Sequence, residues 1–310
     1  LQRHLSTELL LTRACRRERR MLFSSLTFIF LFLPVVLAVY YLAPLKIRNL
    51  LLLLASLIFY AWGEPVYVVL MILSILLNYC CGREIAANAE DERKAHRGMI
   101  FTVVVNLALL FFFKYYGFFL ELVNSVTSAE LTYRELALPV GISFYTFQGI
   151  SYVVDVYRGK AKAQRSLLNF ALYIALFPQL IAGPIVRYED IEPQLAQRKV
   201  SARKLGQGAM LFLIGLAKKA VLADTFKTVF EEISAISASN LSVPMAWIGC
   251  ITYAFEIYYD FSGYSDMAIG LSRMFGFELK KNFDHPYVSR SVTEFWRRWH
   301  ISLSTWFREY

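Results

Sequence analysis

The stretch Met99–Val123, MIFTVVVNLALLFFFKYYGFFLELV, decides the fold class. Its two charged side chains are Lys114 and Glu121. Crossing a hydrocarbon layer of ~30 Å takes about 20 helical residues, so this run is long enough to span a bilayer. A second run of that length, Leu22–Leu42, lies upstream. Shorter apolar runs follow the same logic at Asn49–Trp62, Pro65–Cys81, Leu138–Val156, Leu167–Ile181, Ala209–Leu222 and Val243–Tyr258, with a weaker one at Tyr264–Phe277. Segments this short must tilt little, cross thinned bilayer or lie buried among other helices. The pattern predicts an all-α polytopic membrane protein of about eight or nine helices, with no soluble domain and no repeat.

Composition agrees. The 310 residues are 57% hydrophobic and 16% aromatic but only 18% charged, against about 25% charged in soluble domains. Four cysteines, Cys15, Cys80, Cys81 and Cys250, form no CxxC pair. Cys80 and Cys81, adjacent at the end of an apolar run, read as small buried hydrophobes rather than as a disulfide or metal site.

Loop charges set the orientation. Lys46 and Arg48 follow the first run, and Arg83, Arg93, Lys94 and Arg97 follow the third, whereas the Gly63-Glu64-Pro65 turn carries no basic residue. The positive-inside rule then places the loops after the first and third helices in the cytoplasm. Residues 1–20 hold six of the arginines and would lie outside, against the same rule. They are either a basic tail or sequence upstream of a start at Met21. The second reading fits the topology, so 1–20 is treated as a non-native or disordered head and 21–310 as the membrane domain.

Two places interrupt the helical pattern. Leu138–Gln148 mixes Pro139, Gly141 and polar side chains into an apolar run, and Phe177–Pro184 brackets Gln179 with two prolines. Proline removes a helix donor and pushes its predecessor out of the α region. Freed backbone groups cannot face lipid, so both stretches should pack in protein or line a polar cavity. Either alone reads equally well as an ordinary kink, but two within fifty residues favour a central cavity.

Candidate chemistry gathers near the end of the chain. A helix from Val292 would stack Phe295, Trp299, Leu303 and Trp306 in an apolar stripe. It would set His300 among Trp296, Arg297 and Ser304. The cationic surroundings (Arg290, Arg297, Arg298, Arg308) and partial burial should keep the imidazole neutral, fit to act as a general base. A core or interfacial histidine satisfied by hydrogen bonds fits the residues as well. Lys114 and the Lys218-Lys219 pair read as snorkelling to an interface rather than lining a substrate path. Asp260, Ser262, Tyr264 and Asp266 form either a polar cavity wall or a helix N-terminus capped by Ser262 or Asp260. No phosphate-binding glycine loop, HExxH motif or nucleophile elbow occurs.

Met21–Ser25, Leu138–Asp155, Phe177–Ile185, Tyr258–Gly270 and above all Glu294–Tyr310 together resemble the membrane-bound O-acyltransferases, in particular their bacterial alginate O-acetyltransferase branch. The Trp-His-Ile-Ser-Leu-Ser-x-Trp string is the most specific of these. The resemblance implies a ring of short and long helices around a central tunnel through thinned membrane. It implies transfer of an acyl group, acetyl by type, from a cytoplasmic thioester donor toward a hydroxyl of an exported polysaccharide. An extracytoplasmic esterase-like partner would complete that transfer, and the location would be the bacterial inner membrane. No bound cofactor, metal or nucleic acid is implied.

The resemblance assigns His300 to the catalytic region and makes Gln179, Asp260, Ser262, Tyr264, Asp266, Arg297 and Ser304 candidates for the tunnel wall. Its second histidine, the principal base in a Trp-His-Gly context, falls beyond Tyr310. The expectation is therefore a C-terminally truncated membrane domain, inactive alone. Broken helices and intramembrane charges also occur in transporters, the alternative class, but no matching pair of interrupted halves is found. A scaffold that anchors an extracytoplasmic partner is a further alternative. The acyl group, the acceptor polymer, the donor carrier and the oligomeric state leave no mark in the sequence.

Overall fold

The described residues of the computed structural model are 21–127, 137–181 and 183–310, and they contain helices and turns with no strand. The basic head therefore lies outside the described residues.

Among the described residues three helices are long and apolar enough to cross a membrane: Leu45–Gly63, Tyr67–Ala87 and Glu92–Thr127. They contain α2 (Arg48–Gly63), α3 (Tyr67–Ala87) and α4 (Glu92–Thr127). The fourth run lies in one of these helices, as expected, but the first does not. Its continuous helix is Phe28–Leu42, a π-helical turn followed by α1 (Leu33–Leu42). Pro34 in the first turn of α1 has no N–H to donate, which accounts for the widened turn before it. Upstream, Met21 and Phe23 fold inward and are buried. Phe23 stacks on Tyr264 at 4.7 Å and lies 5.6 Å from Phe59. The second and third runs, short by apolar count, gain length because helix continues into polar flanks such as Arg83 and Glu84.

Helices α3 and α4 are clasped by amides. Asn106 donates to Asn78 Oδ1 at 3.0 Å, and Asn78 donates back at 3.2 Å. In lipid such interhelical bonds replace a hydrophobic drive that is absent between apolar faces.

The Pro139-Gly141 break proves to be a helix start: Gly141, with φ 74°, precedes α5 (Ile142–Tyr157). After α6 (Leu167–Ala175) the chain takes a 3-10 turn, Phe177–Gln179, whose residues are buried. This interrupted stretch is packed in protein, as the lipid argument requires. Helix α7 (Tyr188–Ala196) follows.

Helix α8 (Ala202–Ala217) runs through a π-turn, Lys218–Ala223, into α9 (Asp224–Ser234). The runs Val243–Tyr258 and Tyr264–Phe277, read as separate, join in one helix α10, Val243–Met274. Neither Asp260 nor Ser262 caps an N-terminus there. Two of the lysines reach carboxylates of that helix: Lys218 Nζ is 2.6 Å from Asp266, and Lys219 is 2.7 Å from Asp260. The polar patch inside α10 is thus tolerated by pairing across to α8 and its π-turn. Asp266→Leu should lower the melting temperature in detergent by leaving Lys218 unpaired, and Lys218→Met with Asp266→Leu should recover most of the loss. A loss in the double variant equal to the sum of the two single losses would show that the pair carries no coupling.

Candidate functional site

The chain leaves α10 at the end of the bundle that gathers Arg48, Arg198 and Tyr40. Tyr40 donates to Phe275 O at 2.7 Å, and Arg198 donates to Asn49 and to Tyr40. It then doubles back along α10. Phe283 reaches Phe261 at 5.0 Å, and Tyr287 OH donates to Ala254 O at 2.7 Å. Phe261 lies thirteen residues before Met274, about 20 Å along the helix axis. Helix α11 (Val292–Arg298) starts on a side-chain cap: Ser291 Oγ accepts from Glu294 N, while Glu294 reaches back to accept from Arg290 N, the residue before the cap. Helix α12 (Ile301–Glu309) returns to the basic end. There Glu309 meets Arg187 at 2.6 Å, and Tyr310 OH donates to Asp155 at 2.7 Å. The segment is a re-entrant hairpin with His300 at its fold.

His300 breaks the single helix expected from Val292. Its φ of 43° and ψ of 55° lie in the left-handed region, and Trp299 before it is extended. A non-glycine residue held there costs about 1–3 kcal/mol, so the surroundings must over-determine it. They do, through residues 282–284. Ile301 N donates to Asn282 O at 2.9 Å, and Asp284 N to Arg298 O at 2.8 Å. The expected apolar stripe is split by the break. Phe295 and Trp299 pack together and toward Phe283 and Tyr287, whereas Trp306 stacks on Phe147 of α5 at 4.4 Å.

The imidazole is 7% exposed. Its edge meets Phe261 at 4.8 Å between centroids. Nδ1 is 3.2 Å from Asn282 Oδ1 and 3.4 Å from Ser302 Oγ. Ser302 in turn accepts from Ile185 N at 3.0 Å, tying the site to the interrupted stretch after α6.

Residues 161–310 match the family model described as membrane-bound O-acyltransferase. The region belongs to that family. Over 94% of its length the chain is 45% identical to the protein named probable alginate O-acetylase AlgI of Pseudomonas aeruginosa, covering 56% of it. It is 36% identical to the peptidoglycan O-acetyltransferase of Helicobacter pylori, over 94% of this chain and 61% of that one. The teichoic acid D-alanyltransferase of Bacillus subtilis is 29% identical over 71% of the chain and 55% of its own length. The chain thus spans little more than half of the curated relatives it matches.

Burial, rather than the neighbouring arginines, pushes the His300 imidazole down to about 4. Arg297 points outward and is exposed, and Arg298 pairs with Glu294 at 2.9 Å. The neutral ring expected from sequence is thus obtained by desolvation. Unfolding frees a group that titrates near 6.5. Between pH 6.5 and 4 the unfolded chain therefore binds a proton that the folded chain refuses. His300 costs nothing above pH 7 and a growing amount as the pH falls, on the order of 3 kcal/mol at full development. Melting of the wild type should drop faster than that of His300→Gln between pH 7.5 and 4.5. Parallel curves would refute the buried neutral ring.

The other candidates scatter. Ser304 sits one turn past the break, with its N–H on His300 O at 3.1 Å. Gln179 donates to Tyr173 O, while its Oε1 is buried without a partner among the described residues. Tyr264 OH and Ser262 Oγ are likewise buried and unpartnered there. Tyr264 belongs to the aromatic core beneath Phe23, and Asp260 and Asp266 are held by the two lysines. Among the described residues no hydrogen bond joins any of these to the imidazole, whereas Asn282 and Ser302 both reach its Nδ1.

Asn282 and Ser302 escaped the sequence reading. A carboxamide a few residues past an apolar helix, in Phe277–Phe283, is the only local sign of Asn282; nothing local marks Ser302.

A cleft of about 490 Å³ opens beside the break and is lined by Ile185, Arg187, Lys280, Lys281, Ser302 and Arg308, among others. Hydrogen bonding and attraction to Glu309, Asp190 and Glu189 hold the Arg187 guanidinium firmly charged against the cost of its burial. A second hollow of about 450 Å³ lies between α1 and α2 and is lined by no charged side chain among the described residues.

Proposed function

We propose that the protein carrying this chain is a membrane O-acyltransferase. It moves an acyl group, acetyl by its relatives' names, from a cytoplasmic thioester toward a hydroxyl of an exported polysaccharide. The observation that carries this reading is the buried, neutral His300 held at a backbone break beside a cleft lined by four basic side chains, Arg187, Lys280, Lys281 and Arg308, and three acidic ones, Asp190, Glu278 and Glu309. Loop charges put the cleft's end of the bundle in the cytoplasm, where an anionic thioester donor would arrive. His300 then supports proton transfer or donor binding. In the transfer the acceptor oxygen bonds to the carbonyl carbon and gives up its proton, while the C–S bond breaks and the thiolate collects a proton. Gln179, Ser262 and Tyr264 offer unpartnered polar atoms for a passage wall, and Arg297 and Ser304 lie within one turn of the break. An extracytoplasmic esterase-like partner and the bacterial inner membrane complete the reading.

Relatives named for alginate, peptidoglycan and teichoic acid support a cell-surface polymer as acceptor. The test supplies the membrane-embedded protein and its partner with a radiolabelled acetyl thioester and a polysaccharide acceptor. Consumption of thioester with label appearing as ester supports acyl transfer. Movement of solute with the thioester intact would instead indicate a transporter.

A further inference from the structure

We propose that Asn282 is a positioning residue for His300, fixing the ring hydrogen on Nδ1 and leaving Nε2 as the lone-pair nitrogen. Asn282 is 1% exposed, and its Oδ1 sits at the centre of three approaching groups. The Ser302 N–H donates to it at 3.1 Å, and the Ser302 hydroxyl at 2.9 Å. His300 Nδ1 is the third, at 3.2 Å. The backbone N–H decides how the carboxamide is oriented. It has no alternative role as acceptor, so the atom facing it must be the oxygen. An oxygen without hydrogen in turn requires that Nδ1 bring the hydrogen to their contact. The Ser302 hydroxyl cannot compete for the Nδ1 site, because its own hydrogen is directed to Oδ1 and it accepts from Ile185 N at 3.0 Å.

The same residue holds the backbone. Asn282 O accepts from Ile301 N at 2.9 Å, so one side chain and one carbonyl pin both the ring and the left-handed break beneath it. The arrangement parallels the carboxylate that orients an imidazole in a hydrolase triad, with a neutral carbonyl in place of the charge. A neutral partner orients the ring without favouring its protonated form. Asn282 Nδ2 is buried with no partner among the described residues, so an aspartate here would give up no hydrogen bond.

The inference rests on the acyltransferase reading for its meaning, not for its test. Histidine is labelled with 15N in the whole protein, and the His300 signal is assigned by its loss in His300→Gln. Wild type should show a single Nδ1–H tautomer. Asn282→Leu should give Nε2–H or a mixture, whereas Asn282→Asp should keep Nδ1–H. An Nε2–H tautomer in wild type overturns the proposal. So does an unchanged tautomer in a folded Asn282→Leu. If the leucine variant does not fold, the aspartate variant decides: loss of the Nδ1–H signal there overturns the proposal, and its retention supports it. Acyl transfer undiminished in His300→Ala would remove His300 from the proposed chemistry, and a thioester left intact by the wild type would defeat the acyltransferase reading; both leave this tautomer result intact.

Discussion

Replacing His300 by alanine should lower acyl transfer about 10²- to 10⁴-fold in the membrane-embedded protein, the range expected when a positioned acid–base group is removed. Folding should survive, because alanine fits the space of the ring and the backbone bonds from residues 282 and 284 remain. Its left-handed conformation becomes less favourable, which makes His300→Asn the better structural control: asparagine tolerates φ near 43°. The way the loss divides between parameters reports the role. A fall in kcat with unchanged KM assigns His300 to proton transfer, whereas a rise in KM for the thioester assigns it to donor binding. Transfer at the wild-type rate in both variants would remove His300 from the site.

Substituting Gly270 with leucine should be among the most damaging single changes in the membrane domain. Helices α8 and α10 approach so closely that a Cβ at Gly270 would lie 2.6 Å from Gly208 O and 2.6 Å from Phe212 N. Both atoms belong to a helix backbone, which cannot move aside as a flexible side chain does. The two helices would have to part, and the Lys218–Asp266 and Lys219–Asp260 pairs along the same seam with them. A loss of about 3 kcal/mol or more is expected, read as failure to accumulate or as a sharply lowered melting temperature. Gly206→Ala on α8 serves as the contrast. Its Cβ would meet nothing within 4 Å, so it should be neutral or slightly stabilising. Tolerance of leucine at Gly270 would mean that the seam is not packed as described.

Much of the architecture follows from patterns short enough to read along the chain. Met99–Val123 forms part of a spanning helix because nothing but a helix satisfies the backbone of such a run in lipid. Pro139-Gly141 and Phe177–Pro184 interrupt helices because proline lacks a donor and Gly141 takes positive φ. Length was read less well. The run from Leu22 looked long enough to span, yet its first residues turn inward to bury Phe23 against Phe59 and Tyr264, a contact across some 240 residues. Composition cannot show that preference, since Phe23 is equally apolar facing lipid or core.

The site divides along the same line. Local chemistry marked His300, one imidazole among aromatic and basic residues, and the Trp-His-Ile-Ser string tied it to a family. Its surroundings were misjudged, because helical periodicity assumes an unbroken helix and assigns neighbours three and four residues away. The true neighbours, Asn282 and Phe261, stand 18 and 39 residues back. The ion pairs of Asp260 and Asp266 are equally remote along the chain. Periodicity and composition act over one or two turns, and they settled that the chain is helical and membrane-embedded. The break at residue 300 is held by hydrogen bonds that exist only once the hairpin has folded back along α10. No local propensity favours that conformation, so folding alone placed the ring where it is.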